Sequence, residues 1–252
     1  MSDSIMNAVI SGITSIVSGM ILWIIQTQVN SVSWWVIIGV AVLLGASVYL
    51  VIFVYRCKSL GISKVLPSSI KGEGSTTAYM ESATSNICFV GIAASKWVLK
   101  GDILEKTIRK ICSLNSGYIK FLLLDPKSEA ARKLSLAGRQ NEDQVGKKIE
   151  DSIASLNKIL KRLRTDYSDA IRGFEIRLYD QMPIFRLAII DNRRAYFCFY
   201  QLGCDGSELK QFVIKPKQHE NPDVQNIFNS MTEYFDCLWN APTTKTYTFT
   251  EE

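Results

Sequence analysis

The single histidine of this chain, His219, limits the chemistry open to it. Ser-His-Asp and Cys-His catalysis both need an imidazole held against the nucleophile. His219 stands beside Glu220 in the hydrophilic run Lys215 to Asn221, where it reads as a solvent-exposed loop side chain. Of the six cysteines, Cys57, Cys88, Cys112, Cys198, Cys204 and Cys237, none form a C-x-x-C pair, so no metal site is expected. Cys88, Cys112 and Cys198 fall inside apolar runs, where cysteine packs as a small hydrophobe, and in a cytoplasmic domain they are expected to stay reduced. No Gly-x-x-x-x-Gly-Lys occurs, and Gly72-Glu73-Gly74 is a weak phosphate-loop signal, so no cofactor is expected. Basic residues gather on one predicted helix as Lys147, Lys148, Lys158, Lys161, Arg162 and Arg164, diluted by Glu150, Asp151 and Asp166. Such a face is either solvated or docks on lipid, protein or nucleic acid.

The elements that position these residues belong to two chemically different parts. The 252 residues carry a net charge of +5, 47% hydrophobic and 21% charged residues. Their mean hydropathy of +0.09 is high for that much charge. Between Asp3 and Arg56 there is no Asp, Glu, Lys, Arg or His, so almost all charge belongs to the remainder. A bilayer core of about 30 Å is crossed by roughly 20 helical residues, and residues 1–56 hold two such stretches, 5–25 and 34–55. The polar run 26–33 would reverse the chain between them, and Trp23, Trp34, Trp35 and Tyr55 fall near the ends, where aromatic rings anchor at the interface. The start, Ser2-Asp3-Ser4, lacks the basic residues of a signal peptide. Arg56, Lys58, Lys64 and Lys71 crowd the exit of the second stretch, which predicts an inner-membrane hairpin with both termini cytoplasmic. Asn7, Ser11, Thr14, Ser15 and Ser18 recur along one face of the first helix, flanked by Ala8, Gly12 and Gly19. Small and hydroxyl residues let membrane helices approach and hydrogen-bond. This face packs on the second helix near Ala41 and Gly45, or it meets copies of itself in a homo-oligomer that lines a path across the bilayer, or the helix is a plain anchor with no specific contact.

Residues 57–76 read as a basic juxtamembrane linker, interrupted by Gly61, Pro67, Ser68, Ser69, Gly72, Gly74 and Ser75. From 77 to 241 strand and helix signals alternate, predicting one α/β domain with a mixed sheet. Strands are expected over 87–92, 118–124, 174–179, 185–190, 195–200 and 212–214, with a turn at Asp191-Asn192-Arg193-Arg194. Helices are expected over 103–114, 141–167 and after Asn221-Pro222, and the tail 242–252 is expected to be extended and loosely held.

Phe174 to Tyr179, Ile184 to Asp191 and Ala195-Tyr196-Phe197, with Ile119 to Pro126 upstream and Tyr234 to Trp239 downstream in support, resemble the second half of a phospholipase D-like module. The resemblance covers about 77–241 and implies that family's α/β fold. The family motif is His-x-Lys-x-x-x-x-Asp, followed by Gly-Ser and an Asn. Aligned on Asp191, it puts Ile184 at the histidine, Arg186 at the lysine and Cys198-Phe199 at Gly-Ser. In the family the histidine attacks phosphorus and a second copy protonates the leaving group. Isoleucine does neither, so the resemblance implies a degenerate, single-copy module that is not an enzyme. What survives is a vestigial ligand pocket with Arg186 for phosphate and Asp191 to orient it, or a structural pair of the two at the end of a strand.

The layout is similar to two-transmembrane effectors of bacterial anti-phage defence. On that analogy the cytoplasmic domain holds or senses a regulatory protein, a nucleotide or an RNA supplied by a neighbouring gene, and controls hairpin oligomerisation to disrupt the membrane. The alternatives are a membrane-tethered phosphodiesterase or nuclease of the phospholipase D kind, and a membrane-anchored binding scaffold.

Overall fold

The computed structural model describes residues 19, 34–59, 61–66, 75–114, 116–138, 143–166, 173–200, 209–216 and 226–247. The chain divides into two compact units, Met1–Tyr55 and Arg56–Glu252.

In the first unit, of the residues on the expected polar face, Asn7, Ser11, Gly12, Ser15 and Ser18 lie outside the described residues, while Gly19 is helical and exposed. Helix α1, Trp34–Ser59, has 26 residues and therefore runs about 39 Å. Large apolar side chains are exposed around it, among them Val42, Leu43, Tyr49, Leu50 and Phe53. Among the described residues no helix is long and apolar enough to cross a membrane.

The second unit is built on an eight-stranded mixed sheet, as the alternating signals predict. Its elements are β1 (Ile62–Leu66), α2 (Thr76–Ser82), β2 (Asn86–Gly91), α3 (Ser95–Val98), α4 (Gly101–Cys112), β3 (Tyr118–Leu124), α5 (Glu129–Ala137) and α6 (Gln144–Asp166). They continue with β4 (Phe174–Tyr179), β5 (Phe185–Ile190), β6 (Arg194–Phe199), β7 (Gln211–Ile214), α7 (Ile227–Trp239) and β8 (Lys245–Thr246). The strand order is β1-β7-β6-β5-β2-β3-β4-β8. β2, β3 and β4 are parallel, because α4 and the α5–α6 pair carry the chain back between them. β5, β6 and β7 continue antiparallel.

Period-two alternation sends side chains to two faces. One face packs under α2, α3, α4 and α6, where Trp97 meets Phe89 and Phe121 edge-on at 5.3 and 5.2 Å and Tyr79 meets Tyr196 at 4.3 Å. The opposite face receives α7: Tyr234 lies 4.7 Å from Phe185, and the Lys120 and Arg177 cations approach the Trp239 ring at 5.2 and 4.3 Å. Ser75, Ser128 and Asn226 cap α2, α5 and α7 by accepting from Ala78, Ala131 and Asn229 amides. Gly117 and Gly173 precede β3 and β4 where a Cβ would strike the Ile111 and Gly117 carbonyls, so these two starts require glycine.

Two expectations are corrected. The stretch 57–76 is not only a linker: α1 runs to Ser59, and β1 joins the sheet as an edge strand antiparallel to β7. Nor is the tail loose from 242, since β8 pairs with β4 and the Tyr247 amide donates to Ile176. Backbone pairing overrides a sequence pattern too short to announce a strand. The turn at Asp191 is present: Asp191 and Asn192 take φ of 53° and 51°, and the Arg193 amide donates to Ile190. Asp and Asn tolerate this left-handed conformation.

Candidate functional site

Arg186 and Asp191, expected to share one pocket, are not brought together. They stand at opposite ends of β5, about 17 Å apart at strand rise, and neither pairs with the other.

Asp191 is fully used by the fold. Its carboxylate accepts from the Thr84, Ser85 and Asn86 amides at 2.7 to 3.1 Å and from the Thr84 and Ser85 hydroxyls at 2.8 and 3.1 Å. Burial alone would raise this carboxyl, but the donors outweigh it and leave the group below the ordinary carboxylate range. Asp191 ties the β5–β6 turn to the start of β2.

Arg186 is in the opposite condition. Its partner in register is Cys198 on β6. One step past Phe197↔Phe212 the ladder sets Gln211 beside Cys198, and one step past Val90↔Leu187 it sets Gly91 beside Arg186. Gln211, Cys198, Arg186 and Gly91 therefore form a row across four strands, on the face that α2 covers with Tyr79. The row runs past the carboxyl end of β2, where parallel β2–β3 meets antiparallel β5. In open α/β sheets, ligands bind beyond the strand carboxyl ends at such a switch in connectivity.

Half-buried Arg186 has no ion-pair partner among the described residues, and its Nη2 atom is buried without a hydrogen bond. Tyr79 Oη and Gln211 Oε1 are likewise buried and unpartnered, on residues only 3% and 1% exposed. The Gln211 amide lies close enough to favour the Tyr79 phenolate, yet without good hydrogen-bond geometry. Burial pushes Tyr79 well up, Tyr200 to about 12 and the Cys198 thiol up, and the Arg186 charge only partly offsets this. All three stay neutral at pH 7, so the guanidinium is the one charge of the cluster among the described residues. Tyr200 accepts from the Ile92 amide at 3.0 Å, which closes one wall. Ile184 is 59% exposed and offers its carbonyl to the Tyr200 amide. A cation with no counterion among the described residues, beside an unpartnered phenol and amide oxygen, suits an anion that also bears a hydrogen-bond donor.

Tyr79, Tyr200 and Gln211 escape sequence reasoning because they come from α2, the end of β6 and β7; a Gln opening an apolar strand was the one available signal. His219 and Cys204 lie outside the described residues, as does the side chain of Cys57. Cys88, Cys112 and Cys198 are buried, and burial raises the first two thiols to about 12 and 11.

Fold and site together define an α/β protein with a large mixed sheet and, at its switch point, an arginine with no ion-pair partner among the described residues. The chain belongs to the family described as Domain of unknown function (DUF5919), whose model matches residues 92–245. No curated protein matches the sequence. Among solved structures the chain is similar to an archaeal chromatin protein, TrmBL2, at 15% identity and a TM-score of 0.39, over 81% of this chain and 65% of that one. It is similar to a phospholipase D family member, Nuc from Salmonella typhimurium, at 16% identity and a TM-score of 0.40, over 73% of this chain and 97% of that one. A third is the phosphatidylserine synthase of Haemophilus influenzae, at 11% identity and a TM-score of 0.45, over 75% of this chain and 40% of that one. The chain thus spans less than two thirds of the first and third of these proteins.

Proposed function

We propose that this protein is a membrane-anchored binding module that takes a phosphate-bearing ligand at Arg186 and does not hydrolyse it. The observation that carries the reading is the buried Arg186 Nη2 without a hydrogen bond, beside the Tyr79 hydroxyl and Gln211 Oε1, which are in the same condition. A desolvated cation is costly without a counterion, and a phosphate monoanion supplies oxygens for Arg186 Nη2 and a hydroxyl for Gln211 Oε1. The phospholipase D-like resemblance of residues 174–197 favours phosphate over carboxylate, because Arg186 stands where that motif has its lysine. Hydrolysis by the family route needs an imidazole at position 184, which Ile184 lacks.

Anchoring rests on α1. A helix that exposes Val42, Leu43, Tyr49, Leu50 and Phe53 around its circumference is unfavourable in water and suited to lipid. The disruptive, defence-linked reading has no observation in its favour among the described residues.

Two measurements on the full chain test this. Inorganic phosphate and a nucleoside monophosphate should raise the melting temperature of the detergent-solubilised protein, and Arg186→Gln should abolish the shift. An unchanged shift in the variant overturns the site. Hydrolysis of bis(p-nitrophenyl) phosphate that disappears in Arg186→Ala would instead make it a phosphodiesterase. Release from membranes by alkaline carbonate would overturn the anchoring.

A further inference from the structure

We propose that the β1–β7–β6 edge of the sheet docks on the surface of an anionic bilayer, so that the domain lies against the membrane. The inference rests on the anchoring proposed above and adds a second, peripheral lipid contact.

Three observations converge on this edge. The first is connectivity: α1 ends at Ser59 and β1 begins at Ile62, so at most about 11 Å of chain separates them. If α1 spans the bilayer, with Arg56 and Lys58 at headgroup level, β1 cannot leave the interface. The second is an apolar row. On the face that α7 covers only in part, Val65 pairs in register with Phe212, and Phe212 with Phe197. Phe197 and Phe212 stack at 4.9 Å, and Phe199 packs edge-on against both at 5.5 and 6.5 Å. Most of this cluster is half-buried or buried, yet Val65 and Phe199 are each 54% exposed. Exposed Phe and aliphatic side chains of a peripheral surface bury at the headgroup–acyl boundary.

The third is charge. Lys64, Arg194 and Lys215 are exposed on the other face of the same strands and Lys210 just before β7, so cations flank the apolar row across the edge, and among the described residues 61–66, 194–200 and 209–216 there is no Asp or Glu. Each basic residue near an anionic leaflet contributes about 1 kcal/mol of attraction. An edge strand is ordinarily an invitation to pair with another chain, but β1 is short, carries Lys64 and has a register irregularity between Ile62 and Lys64. These features blunt strand pairing and are compatible with a lipid surface.

The test uses the full chain in nanodiscs of phosphatidylethanolamine with phosphatidylglycerol, with the photo-cross-linker benzoylphenylalanine placed singly at four positions. Leu43→benzoylphenylalanine reports insertion of α1. Val65→benzoylphenylalanine and Phe199→benzoylphenylalanine report the docked edge. Thr246→benzoylphenylalanine on β8 is the control at the opposite edge, seven strand spacings away, roughly 34 Å. Lipid adducts at 65 and 199 several-fold above 246, falling when the lipid is phosphatidylcholine alone while adducts at 43 persist, are expected. Adducts at 43 with none above control at 65 and 199 overturn the docking and leave the anchoring standing. Absence of adducts at 43 overturns the anchoring and the docking with it. Protein–protein adducts replacing lipid adducts at 65 and 199 overturn the docking in favour of a second copy.

Discussion

Strand β5 presents two opposite charges under opposite conditions. At its far end Asp191 accepts from five donors on Thr84, Ser85 and Asn86, while near its start Arg186 keeps a buried nitrogen with no partner. Both residues belong to one motif-like run, and the run alone suggests a shared task. Their partners separate them. A half-buried charge whose hydrogen-bonding capacity is filled by amides and hydroxyls is part of the scaffold, whereas one with a buried nitrogen left unfilled among neutral side chains is available to a ligand.

The largest expected effect lies at the filled end. Asp191→Ala should destabilise the protein by about 2 kcal/mol, since it removes the shared acceptor of three amides and two hydroxyls at a part-buried site, and lower the melting temperature by roughly 4 to 8 °C. A drop below that of Arg186→Gln would erase the contrast. pH sharpens it: because the folded carboxyl titrates below its ordinary value, its stabilisation is present above the unfolded pKa, about 3.9, and is lost as pH falls through the lower folded value. Melting curves of the wild type and Asp191→Asn should therefore differ at pH 7 and converge below pH 4, while a gap that widens in acid would contradict the assignment.

At the open end the effects are smaller without ligand. Arg186→Gln should change unliganded stability by no more than about 1 kcal/mol in either direction, because removing an uncompensated cation also removes its desolvation cost. Its loss should appear in phosphate titrations. Smallest of all, Tyr79→Phe should leave the unliganded melting temperature within about 0.5 kcal/mol of wild type, since the hydroxyl has no partner to lose. Calorimetry should still show weaker phosphate binding, and identical affinity would remove Tyr79 from the site.

Much of the fold was legible in the chain. β3, β4 and β5 occupy the stretches that their apolar runs predict, and α6 follows the spacing of Val145, Ile149, Ile153, Leu156, Leu160 and Leu163. β1 and β8 were not legible, because five and two residues carry too little pattern and their pairing is decided by β7 and β4. α2 and α5 were missed for a similar reason, being seven and nine residues long. Within the site, Arg186 was found and Tyr79, Gln211 and Tyr200 were not, since residues 79 and 211 meet only through the sheet.

The sequence by itself determined that the chain has two chemically distinct parts, that its second part is α/β, and that no imidazole stands two residues before Arg186. These follow from composition and local periodicity, which act between residues near in the chain. Tertiary structure alone decided that Asp191 serves the scaffold and Arg186 stands open. Whether a buried charge is satisfied depends on donors and acceptors brought from residues about a hundred positions away, and only the closed sheet sets those distances.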